Sequence, residues 1–94
     1  MQVDFCWRVA DDSMTDARIR RGDIVFVQQQ PSVENGDIAV VVVGDEIALR
    51  RFYKADSGVI LESDNGQHRP EFYTDKDFRE IPVLGKVVSF QGYV

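Results

Sequence analysis

The stretch RVADDSMTDARIRRGD, Arg8 to Asp23, places Ser13 between an acidic pair and a methionine, with three arginines and a Gly-Asp turn behind it. A serine hydroxyl is a poor nucleophile until a base within hydrogen-bond reach takes its proton and N–H groups face the oxyanion that forms. The one histidine, His68, lies in NGQHRPEF, which reads as a solvated loop with no carboxylate at a spacing that would orient the ring. Cys6, the single cysteine, falls in a strand-like segment and is more simply a small half-buried hydrophobe than a thiolate. No CxxC, HExxH, glycine-rich phosphate loop or paired-carboxylate spacing occurs, so no metal or other cofactor is expected. The chemistry left open is a serine whose base is a lysine, kept neutral by a desolvating apolar site. Taken alone, Ser13 reads more simply as a turn serine bonding its local backbone.

Positioning such a site falls to strands. VDFCWRV alternates, with Val3, Phe5, Trp7 and Val9 on one side and Asp4, Cys6 and Arg8 on the other, as in a half-buried strand. SMTDARIRRGD lacks that period; Asp16 is suited to cap one helical turn that Gly22 ends. DIVFVQQ and DIAVVVVG are rich in β-branched residues and are separated by the turn cluster QPSVENG. The Gly-Asp pair opening GDEIALRRFYK predicts a hairpin, and SGVILES predicts a further short strand. DNGQHRPEFYTDKDF reads as a long loop with a brief central strand, and REIPVLGKVVSFQGYV as one or two last strands, with Pro82 at an edge or start. Short strands punctuated by Gly and Pro predict an all-β fold: a twisted, mostly antiparallel, partly closed barrel-like sheet with almost no helix.

With 94 residues, the chain is expected to form one domain over 1–94. A hydrophobic fraction of 44% excludes disorder, and no apolar run approaches the roughly 20 residues of a membrane span. One cysteine and no leader-like start fit a reducing cytoplasm. A net charge of −5 opposes nucleic-acid binding by the domain itself. Arg18, Arg20 and Arg21 therefore read as solvated surface rather than a phosphate-binding patch. Phe5, Trp7, Phe26 and Phe90 read as core or dimer interface.

Five segments in order carry a resemblance: DSM, RRGDIVFV, NGDIAVVVV, EIALRRF, and the Asn65 to Phe72 segment NGQHRPEF before VLGKVV. Together they resemble the C-terminal domain of LexA and lambda-type phage repressors, self-cleaving Ser-Lys peptidases related in fold to UmuD and signal peptidase. The resemblance places Ser13 at the nucleophile position and makes the main-chain N–H groups of Asp12 and Ser13 the oxyanion donors. It places Arg50 where the family has its general-base lysine. Arginine keeps its proton at physiological pH and cannot act as that base. Lys54 has the right strand parity but lies about 13 Å along the strand. Asp11 stands where the family usually has glycine, adding negative charge near Arg50. A buried guanidinium needs a carboxylate partner, for which Asp11, Asp12 and Glu46 are the candidates.

These features imply a dimerisation and regulatory domain of a phage or bacterial transcriptional repressor that does not cut itself. The family's cleavage segment precedes the first strand, so the chain is expected to be a fragment without that segment and without an N-terminal helix-turn-helix domain. Operator DNA would be bound only through that missing domain, and VLGKVVSFQGYV would supply the pairing surface of a homodimer. The alternative is an active self-cleaving serine peptidase of LexA or UmuD type in the SOS response, with a RecA-type activator as partner. A plain β-barrel binding module is the weaker third reading.

Overall fold

In a computed structural model, residues 2–66 and 69–92 are described. Seven strands form one sheet: β1 (Phe5–Arg8), β2 (Ile24–Gln29), β3 (Ile38–Val43), β4 (Glu46–Ala55), β5 (Gly58–Glu62), β6 (Glu71–Thr74) and β7 (Val83–Gln91). Their order is β1-β2-β7-β3-β4-β5-β6, and every pairing is antiparallel. The sheet is not closed, since β1 and β6 stand at its two edges.

The apolar run of β3 marks a strand buried on both faces. Val40 joins a cluster with Val9, Met14, Ile19, Val25, Val27 and Leu49, while Ala39 and Val41 join Ala48, Phe52, Val59 and Leu61 on the other side. Gly44 then takes φ +62°, a left-handed conformation that glycine adopts without steric cost, and returns the chain into β4. The β3–β4 register runs from Val43↔Glu46 to Ile38↔Arg51.

The C-terminal tail is one strand, β7, inserted between β2 and β3, with two irregularities. Opposite Phe26 and Val27 the pairing steps from Ser89 to Val87, and opposite Val40 and Val41 it steps from Gly85 to Val83. Each step sets one extra β7 residue against its partner, which raises local twist and bends the strand. From Val87 to Gln91, β7 pairs with β2 alone, because its β3 pairing ends at Lys86. Over this stretch β7 is therefore free along one side only, and Phe90 there is 43% exposed. Tyr93 and Val94 lie outside the described residues.

Three details correct the sequence reading. The helical turn after Ser13 is a 3-10 turn over Thr15–Ala17, and its N-cap is Met14 with no side-chain cap, so Asp16 is inside the turn rather than capping it. The turn ends at Arg18, left-handed at φ 67°, four residues before Gly22. Val3, expected inward, is exposed. A single α-helical turn, α1 (Asp75–Phe78), follows β6, with the Thr74 hydroxyl accepting the Asp77 N–H at 3.1 Å. Its signal was present as Thr followed by acidic residues.

Gly85 sits where β7 crosses β2: a Cβ there would collide with the Gln28 carbonyl and come within 2.7 Å of Val27 Cγ1. Backbone cannot yield as a flexible side chain does. Gly85→Ala should destabilise the domain by about 1–3 kcal/mol, seen as a lower urea midpoint with an unchanged m-value.

Candidate functional site

Ser13 is held by main-chain bonds rather than by its own side chain. Val9 N–H donates to the Asp23 carbonyl and Gly22 N–H to the Val9 carbonyl, both at 2.8 Å, closing the connector into a loop. Met14, with no exposed surface, anchors that loop in the core. On the other side, Asp64 N–H donates to the Ser13 carbonyl at 2.7 Å and Asp16 N–H to the Asp64 carbonyl at 2.6 Å. Arg51 fixes the Asp64 end by an ion pair at 2.9 Å and also donates to the Gly36 carbonyl at 2.8 Å. Asn65 adds a longer bond, 3.3 Å, from its amide to the Asp12 carbonyl.

This stitching brings Asp11, Asp12, Ser13, Arg50, Ser63, Asn65, Arg69 and Glu71 around a cleft of about 510 Å³. Sequence reasoning placed four of these together: Asp11, Asp12, Ser13 and Arg50. Ser13 is 7% exposed, and its Oγ is buried without a hydrogen-bond partner. Arg50 shares β4 parity with Ala48 and Phe52, so its side chain continues their apolar face toward the cleft, where it is 17% exposed. His68 lies outside the described residues.

Lys54 is engaged elsewhere, with Nζ on the Asp75 carboxylate at 2.8 Å and on the Ala55 and Gly58 carbonyls. Arg50 does have a carboxylate partner, though none of the three expected from sequence. Its Nε is 3.7 Å from Glu71 Oε1, an ion pair too long for a hydrogen bond, and Nη1 donates to the Leu49 carbonyl at 2.8 Å. The Nε itself is buried and makes no hydrogen bond. Asp12 instead pairs with Arg21 at 3.3 Å on the surface, and Glu46 opens β4 at the hairpin turn, opposite Val43.

The brief strand expected at the centre of DNGQHRPEFYTDKDF is β6, but its pairing with β5, which brings Glu71 to Arg50, is not visible in the sequence. The register, Leu61↔Glu71 beside Phe52↔Leu61, sets Glu71 on the same face as Arg50, two strands over and two residues along, a span that the long arginine side chain reaches. The other Glu71 oxygen accepts the Tyr73 hydroxyl at 2.6 Å. Burial, that hydrogen bond and the Glu71 charge push the Tyr73 phenol up to about 12, against a smaller opposing pull from Arg50.

Asp11 carries the other electrostatic feature. Burial alone would raise its carboxyl, but the Ser13 N–H bond, the neighbouring Ser13 hydroxyl and the charges of Arg50 and Arg21 together hold it below its ordinary value. The hydroxyl favours the carboxylate by proximity, without a well-formed hydrogen bond. A carboxylate stabilised in this way is a weak base. Among the described residues lining the cleft there is neither lysine nor histidine.

The open antiparallel sheet, with a buried serine lining a charged cleft, has the fold of a peptidase-like β domain. The chain belongs to the peptidase S24-like family, whose model matches residues 2–88. It is similar to the LexA repressor of Desulforamulus reducens, 42% identical over 85 residues, covering 90% of this chain and 37% of that protein. The LexA repressors of Desulfatibacillum aliphaticivorans and Citrifermentans bemidjiense are each 38% identical, covering 86% and 90% of this chain and 40% and 42% of their own lengths. The chain thus spans about two fifths of the length of these curated relatives. No helix among the described residues is long and apolar enough to cross a membrane.

The Glu71–Tyr73 bond has a direct readout. Glu71→Gln removes the charge that holds the phenolic proton, so Tyr73 should titrate below about 12 and toward the ordinary 10, with burial retaining part of the rise. Phenolate absorbance of the two proteins across alkaline pH checks this. The stability that Tyr73 gains from its raised value is present below pH 10 and is lost as pH climbs through 10 to 12.

Proposed function

We propose that this is the dimerisation and regulatory domain of a cytoplasmic LexA-like transcriptional repressor, in which the Ser-Lys peptidase fold persists without self-cleavage. The observation that carries the reading is Arg50 lining the same cleft as Ser13, in a chain of the peptidase S24-like family. A guanidinium carries its proton permanently and cannot take the serine proton. The flanking carboxylates do not replace it, because Asp11 is held below its ordinary value and Glu71 is committed to Arg50 and Tyr73. Loss of a general base costs on the order of 10⁴ or more in rate, equivalent to about 5 kcal/mol of barrier. A RecA-type activator, which the self-cleaving alternative needs, would find no competent base to work with.

Regulation then rests on pairing. Operator DNA would be bound by a domain outside this chain, and the acidic domain described here would contribute two-fold symmetry to it. The one-sided pairing of Val87–Gln91 and the exposed Phe90 support β7 as the pairing surface.

Two experiments test the reading. The full-length protein incubated at alkaline pH should stay whole and behave as its Ser13→Ala variant does; Ser13-dependent fragmentation would refute the loss of the base. In sedimentation equilibrium the domain should be a dimer at micromolar concentration, and Phe90→Asp should shift it toward monomer. A natural domain that stays monomeric throughout would remove the pairing role.

A further inference from the structure

The N–H of a residue that bears a nucleophilic hydroxyl lies next to the atom on which negative charge gathers in acyl transfer, and such a donor works only when nothing else holds it. In this chain Ser13 N–H donates to Asp11 Oδ1 at 3.0 Å. An aspartate bonding the backbone two residues ahead closes an Asx-turn, so the contact is made within three consecutive residues and needs no distant partner. It is also reinforced from outside the turn, because Arg50 and Arg21 both favour the charged carboxylate. From this geometry we infer that Asp11 is a built-in stand-in for the oxyanion: its carboxylate occupies the anion position beside Ser13 and closes the site to acyl transfer independently of Arg50.

The inference rests on the reading of Ser13 as an inherited nucleophile position and adds a second, separate block to it. The carboxylate consumes the donor and also places a full negative charge where another would develop; Asp11 itself is exposed, so water screens part of that repulsion, and the occupied Ser13 N–H is the larger effect. The carboxylate acts on the base position as well. A lysine introduced at 50 would face Asp11 and Glu71, two anions that favour its protonated form. Replacing Arg50 by lysine therefore restores the residue type without restoring the reaction, whereas glycine at 11 removes the carboxylate and leaves the Ser13 N–H open.

The test compares the natural chain with Arg50→Lys, Asp11→Gly and the double variant, each treated with a fluorophosphonate. In labelling, a Ser13 Oγ–P bond forms, the P–F bond breaks, fluoride leaves, the serine proton passes to the introduced amine, and charge gathers on the phosphoryl oxygen. The double variant should label at Ser13 at least about 10²-fold faster than Arg50→Lys alone, the usual effect of one oxyanion donor, and Arg50→Lys alone should stay close to the natural chain. Equal rates for Arg50→Lys and the double variant, both fast, would overturn the role of Asp11 and leave the reading of Arg50 intact. A double variant no faster than the natural chain would also overturn it. Rapid labelling of the natural chain would overturn both. A second measurement needs no substitution: the Ser13 amide proton resonance of the natural chain should move as Asp11 is protonated in acid. A Ser13 amide indifferent to that titration would show that the carboxylate does not hold it.

Discussion

Burial of β3 on both faces is the constraint from which the remaining architecture follows. β4 and β7 hydrogen-bond to its two edges, while Val40 packs on one face with Val9, Met14 and Ile19 of the Ser13 connector, and Ala39 and Val41 pack on the other with Phe52, Val59 and Leu61. Register then propagates outward. A shift of one residue would turn the whole apolar set of β3 over, so Ala39 opposite Arg50 is fixed by packing rather than by any interaction of Arg50 itself. The same parity sets Arg50 between Ala48 and Phe52 on one face of β4, where it lines the cleft.

An arginine delivered to a half-buried cleft by packing requires compensation, and the cleft is organised around it. Glu71 supplies an ion pair at 3.7 Å, Tyr73 holds the other Glu71 oxygen, and Asp11 adds negative charge from the Ser13 turn. Breaking such a pair leaves an uncompensated charge and costs more than the pair contributes. The three acidic or phenolic groups are best understood as a set fitted to a permanent cation.

The strands were legible because their signals are local. Alternation in β1, β-branched runs in β2 and β3, and a Gly-Asp turn before β4 each act over a few residues. Ser13 and Arg50 were legible through ordered motifs along the chain. Glu71 as the partner of Arg50 was not, because that contact depends on β6 pairing with β5 at Leu61↔Glu71, and a four-residue strand rich in exposed side chains carries little periodic signal. The single tail strand with its two irregularities was hidden for a related reason, since an unpaired extra residue is a property of three strands meeting and not of any one sequence. Asp16 was misplaced because capping depends on backbone geometry, and the turn is capped two residues earlier, at Met14.

The frame around Ser13 is tied by peptide groups: Val9 with Asp23 and Gly22, Ser13 with Asp64, and Asp64 with Asp16. Such bonds are indifferent to side-chain identity at 11, 12 and 50. A cavity whose shape is written in the main chain can exchange its reactive groups while its outline is conserved, so loss or recovery of a chemical activity here is a matter of a few substitutions and not of refolding. The geometry is heritable apart from the chemistry, which makes this kind of domain a durable support on which catalysis is an option.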